Sequence, residues 1–175
     1  MVLTEECVKD TNSELAAQKV YHELKQSNDF VGFAKQFIFS PEHRVARNAL
    51  WVLTKASDEE LSQLQGMLHE LTALAMQTGD SAVRRLSLNI VLRLKMEEDD
   101  LRTDFLDFCL EHMADVREFP GVQSLCLKLA FRMCQFYPEL MEELKRTLEA
   151  MEMDYYTPAI KCVRNKILSG KTKRL

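Results

Sequence analysis

Apolar residues return at intervals of three and four along nearly the whole chain. Leu61, Leu64, Leu68 and Leu71 are one such series, and this spacing places them on one face of an α-helix. The pattern predicts amphipathic helices over 29–39, 58–77, 99–116 and 138–151. It predicts a second set beginning near "RVARNALWVL" at Arg44, "AVRRLSLNIV" at Ala82, "GVQSLCLKLA" at Gly121 and "AIKCVRNKIL" at Ala159. Turn residues precede each member of the second set: "SPEH" at 40–43, "TGDS" at 78–81, "FPG" at 119–121 and "YTP" at 156–158. Ser40 and Asp80 are candidate N-caps there, and Pro41, Pro120 and Pro158 suit early helical positions.

The second set is periodic. Val45, Val83, Val122 and Ile160 are separated by 38, 39 and 38 positions. Phe33, Leu71, Leu110 and Leu148 in the preceding helices keep the same intervals, so the repeating unit is a helical hairpin used four times. A further helix near 13–26 is expected to cover the open edge of the first hairpin, as terminal repeats require. The expected organisation is a single domain: an N-terminal capping helix within 1–28, four hairpins over 29–169 and a basic tail over 170–175. With only 5 glycines and 4 prolines in 175 residues, the class is all-α.

"SPEHRVARNAL" and "GDSAVRRLSL" resemble the HEAT pattern, in which a short turn leads into a helix opening Val-Arg. The third segment has Gln123 at the arginine position, and in the fourth Arg164 stands where a small core residue is usual. The chain is thus similar to HEAT/armadillo-type repeat proteins over about 29–169. More narrowly, "ALWVL", "DSAVRRLSLNIVLRL" and "YPELMEEL" look similar to a group of small uncharacterised bacterial HEAT-like proteins. The resemblance implies a right-handed α-α superhelix (a HEAT/ARM-like solenoid) whose second helices line a concave surface.

Successive residues on a helix turn by about 100°. In the first repeat this gathers Val45, Ala49, Val52, Leu53 and Ala56 on one side, and Arg44, Arg47, Trp51 and Lys55 on the other. In the second, Val83, Ser87, Ile90, Val91 and Leu94 oppose Arg85, Asn89 and Arg93. In the third, Val122, Cys126, Leu129, Ala130 and Met133 oppose Ser124, Lys128 and Arg132. Trp51, Asn89, Lys128 and Lys166 are equivalent by the repeat, as are Lys55, Arg93 and Arg132. Together these positions form an expected basic binding groove. The spans 41–56, 80–96, 120–136 and 156–175 carry a formal +13, leaving −17 elsewhere in a chain of net charge −4. A row of like charges in a concavity attracts anionic partners. A plain solvated helix face, with Trp51 beside its arginines covering a gap through cation–π contacts, would account for the same residues without a ligand. Alignment of the basic positions from repeat to repeat favours binding.

Candidate chemistry adds little. His22, His43, His69 and His112 have no metal-ligand spacing, and there is no HExxH, GxSxG, Walker loop or GxGxxG. The five cysteines, Cys7, Cys109, Cys126, Cys134 and Cys162, are an odd set without CxxC and read as reduced core residues. The opening "MVLTEECVKD" is unlike a signal peptide, and no apolar run nears the ~18 residues of a membrane span, so a cytoplasmic chain with no membrane partner is expected. HEAT-like DNA glycosylases combine a basic groove with tryptophans and a catalytic acid, but the outward positions here offer no carboxylate. The expectation is a non-enzymatic scaffold or adaptor without metal or cofactor. An acidic protein or peptide segment is the favoured partner, and nucleic acid, which would also use "SGKTKRL", is the alternative. On this reading, Arg47→Glu with Arg93→Glu should abolish binding and spare the fold.

Overall fold

The computed structural model describes residues 3–172. Lys173 and Arg174 of the expected basic tail lie outside the described residues. The described residues form helices and turns without a strand, and the chain divides into two compact units, Met1–Lys95 and Met96–Leu175.

The first unit contains α1 (Glu5–Lys9), α2 (Glu14–Ser27), α3 (Phe30–Phe37), α4 (His43–Leu53), α5 (Asp58–Leu61), α6 (Leu68–Gln77) and α7 (Ser81–Arg93). The apolar stripes converge on a core that fully buries Phe30, Phe37, Leu50, Leu53, Leu64, Leu71, Leu88 and Ile90. Burying side chains of this size stabilises the fold by roughly 1.5–3 kcal/mol each relative to exposure. The expected hairpins are α3 with α4, and α5–α6 with α7. Helix α2 is the anticipated N-terminal helix. Asn28 ends it in the left-handed region at φ 52°, which asparagine tolerates better than most residues. Asp29 then caps α3 by accepting the Gly32 N–H at 2.8 Å; a Cβ at Gly32 would run into that carboxylate.

Several local expectations need correction. Helix α1 was not legible: it is 5 residues long and has no amphipathic period of its own. Ser40 does not cap α4. Its hydroxyl accepts the Glu42 N–H at 3.2 Å, and Glu42 is the cap, accepting from Arg44 N–H. Pro41 consequently precedes the helix, whereas Asp80 caps α7 as expected, accepting Ala82 and Val83 N–H at 2.8 and 3.0 Å. The helix expected over 58–77 is interrupted by a 3-10 stretch, Ser62–Met67. Gly66 weakens the helix there, and the Gln65 side chain is held by the Lys95 backbone, donating to its carbonyl at 2.8 Å and accepting its N–H at 2.9 Å.

The second unit contains α8 (Thr103–Ala114), α9 (Pro120–Cys134), α10 (Pro138–Ala150) and α11 (Pro158–Leu168). Pro120, Pro138 and Pro158 are each the first helical residue, where a missing N–H costs nothing. Acidic residues 98–100 form a separate 3-10 turn, so α8 starts later than the expected 99. Its core contains Phe105, Cys109, Cys126, Leu129 and Ile160. Burial pushes the Cys109 thiol up, with Cys126 beside it contributing, and it pushes Cys134 up to about 11. These three cysteines are core residues as expected. Cys7 and Cys162 are exposed, because each lies on the solvent side of its helix.

One device recurs in both units. The last carbonyls of an α-helix have no partner within it. Arg84, directly after the repeat valine, donates to Ala75 O at 3.1 Å and Thr78 O at 2.6 Å, closing the end of α6. Gln123, at the equivalent position, donates to Asp115 O at 2.7 Å and closes the end of α8. Glutamine therefore keeps the donor role of arginine without its charge. Arg164, in a small-residue position, is accommodated because it turns back to Leu148 O of α10 at 2.7 Å.

Candidate binding surface

The ten residues expected to line a groove fall in different surroundings. In the first unit, Arg44, Arg47 and Arg85 are exposed, while Trp51, Lys55, Asn89 and Arg93 are half-buried. In the second unit, Lys128 and Arg132 are half-buried and Lys166 is exposed. Desolvation holds the Arg132 guanidinium below its ordinary value.

Two of the groove cations expected in the first unit, Lys55 and Arg93, are committed to the fold. Lys55 Nζ lies 2.7 Å from the Glu14 carboxylate of α2 and 5.4 Å from the centre of the Trp51 ring. The lysine contact holds Glu14 below the usual carboxylate range. Arg93 pairs with Asp58 at 2.7 Å and donates to Thr54 O at 3.2 Å and Ala56 O at 2.5 Å. It fastens α7 to the segment after α4, so Arg93→Glu would damage the fold as well as the surface. Both carboxylates come from the segments counted as acidic and enter the basic row.

Arg44, Arg47 and Arg85 remain available. Arg44 and Arg85 have no ion pair or side-chain hydrogen bond among the described residues. Among the described residues, Arg47 hydrogen-bonds only to its neutral neighbour Asn48, whose Oδ1 accepts two long contacts of 3.4 Å. Asn48 itself is buried. Arg47 and Trp51, one turn apart on α4, join Ala82, Arg85 and Leu86 of α7 around a cleft of about 130 Å³. Trp51 is thus neither a core residue nor a freely displayed one: Lys55 covers part of its ring, and another part lines the cleft.

Ala82 and Leu86 were not among the expected site residues. Their four-residue spacing was legible, but their position against Trp51 depends on the packing of α4 on α7, which one helix period does not determine. A larger cavity of the first unit, about 470 Å³, lies elsewhere, beside Cys7, Val20, His22 and Glu23. Among the described residues, no three His, Cys, Asp or Glu side chains are grouped to hold a metal ion, and no helix is long and apolar enough to cross a membrane.

Paired amphipathic helices, repeated at 38 or 39 residues and packed through their apolar faces, define an α-helical repeat protein. Residues 4–171 match the HEAT repeat domain, and the chain belongs to that family. HEAT repeats commonly serve as protein-interaction scaffolds, and the family is generally non-enzymatic. No curated protein and no solved structure shows a significant match to the chain.

Proposed function

We propose that the protein is a non-enzymatic adaptor whose first unit binds an acidic segment of another protein through Arg44, Arg47, Trp51 and Arg85. The observation carrying this reading is the contrast within one row of cations. Lys55 and Arg93 are neutralised by Glu14 and Asp58, whereas Arg44, Arg47 and Arg85 face solvent, the latter two beside a half-buried indole. Exposed guanidiniums gain strong, directional hydrogen bonds on meeting carboxylates. Lys128, Arg132 and Lys166 would form a second, independent basic surface in the other unit.

The test is affinity capture with the wild-type chain and with Arg47→Glu combined with Arg85→Glu. The double variant should keep its melting temperature and lose the captured partners. An unchanged set of partners would sink the proposal. Captured nucleic acid, with affinity falling steeply and linearly in log salt, would replace a protein partner with a polynucleotide.

A further inference from the structure

Resting on that reading, we infer that the Trp51 cleft holds one apolar side chain of a linear acidic segment, while carboxylates flanking this anchor meet Arg47 and Arg85. The cleft measures about 130 Å³, whereas pockets for cofactors and drug-sized ligands run to roughly 300–1,000 Å³. Its capacity is that of a single side chain. Trp51, Ala82 and Leu86 supply apolar lining, and Arg47 and Arg85 supply the charge.

The lining is packed in place before any ligand arrives. Leu86 is only 5% exposed and belongs to the packed face of α7. Lys55, paired with Glu14 at 2.7 Å, lies over one face of the indole. An ordered aromatic wall lowers the entropy cost of receiving an anchor. The same ammonium obstructs a ring face that a nucleic-acid base would need for stacking. A bare phosphate would leave the apolar lining unused. An apolar residue between acidic ones uses both the lining and the guanidiniums.

Trp51 is the sole tryptophan, so its emission reports on the cleft directly. The probe is a set of nine-residue peptides with Asp or Glu at every position except the centre, which carries Leu, Met, Phe or Ala. At least one of the Leu, Met and Phe peptides should shift Trp51 emission saturably and bind tenfold or more tightly than the Ala peptide. Arg47→Glu with Arg85→Glu should abolish binding of the whole set. Ala82→Leu, which fills the cleft from an existing helical position, should remove the preference while retaining the affinity of the Ala peptide. Equal binding by all four peptides would overturn the anchor and leave the acidic-segment reading standing. Binding by none of them to the folded protein would overturn both. A single-stranded oligonucleotide that shifts the emission where the peptides do not would assign the surface to nucleic acid.

Discussion

Asn48, buried in the middle of α4, donates its Nδ2 to the carbonyl of Val8 at 3.0 Å. It donates to Lys9 O at the same distance, so one amide closes the C-terminal end of α1 from 40 residues away. A helix of 5 residues is too short to persist by itself. Asn48→Ala removes the donor and leaves those carbonyls facing a cavity, a loss of about 1–3 kcal/mol. Urea unfolding should show that loss, and hydrogen exchange should show the α1 amides opening first. Unchanged exchange in α1 would contradict this role.

Arg93 and Arg85 sit on the same helix but should behave differently. Arg93 closes carbonyls of Thr54 and Ala56 and pairs with Asp58, so Arg93→Ala should cost about 1–3 kcal/mol. Arg85 makes no such contact among the described residues, and Arg85→Ala should stay within about 0.5 kcal/mol of wild type. Chemical denaturation of the two variants decides the matter. Equal losses would mean that both cations are structural.

These contrasts show what the sequence could and could not convey. Helical period and repeat length located the four hairpins and α2, because burial of a stripe every turn is a local regularity. Asp80, Pro120 and Pro158 were legible as helix starts for the same reason. The division of cations was not. Arg93 and Arg85 look alike in sequence, and only the packing of α7 brings one to the carbonyls after α4 and leaves the other in solvent. Asn48 offered a weak signal, as an amide within an otherwise apolar face, and a buried amide demands a partner. That partner lies in a segment with no readable period.

Glu60 supplies a pH dependence. It completes a capping box with Ser57, accepting the Ser57 N–H at 2.8 Å, and also accepts from the Tyr21 hydroxyl at 2.8 Å. Lys25 lies 3.3 Å away. The Ser57 backbone contact is the largest cause holding the carboxyl at about 2 rather than 4.5, with Tyr21 and Lys25 adding to it against the effect of burial. The unfolded chain therefore takes up this proton first as pH falls. The stabilisation is complete above 4.5 and is lost as pH falls towards 2. Glu60→Gln should cost about 1–2 kcal/mol at neutral pH and flatten this acid-side slope. Parallel stability curves for the two proteins would exclude Glu60 as its source.

Ser87 is fully buried, and its hydroxyl has no hydrogen-bond partner among the described residues. It occupies the small-residue position equivalent to Ala49, so removing the hydroxyl leaves little space and ends an uncompensated desolvation. Ser87→Ala should be neutral or stabilising by up to about 1 kcal/mol. A clear loss in thermal or urea unfolding would reveal a partner for that hydroxyl, for example a buried water.

Trp51 gives the sharpest distinction between a structural and a displayed residue, because its half-buried setting predicts an intermediate response. Trp51→Ala gives up the cleft wall shared with Leu86 and Ala82 and the ring beneath Lys55, yet vacates a position already partly open to solvent. The expected loss is about 1–2 kcal/mol, below the roughly 3–5 kcal/mol of a fully enclosed large aromatic. Trp51→Phe should recover most of this stability, since the lining needs apolar area more than the indole N–H. Urea unfolding of both variants, followed by circular dichroism because the fluorophore is gone, provides the measurement. A loss above about 3 kcal/mol for Trp51→Ala would make the residue part of the core and would remove the basis for a preformed cleft.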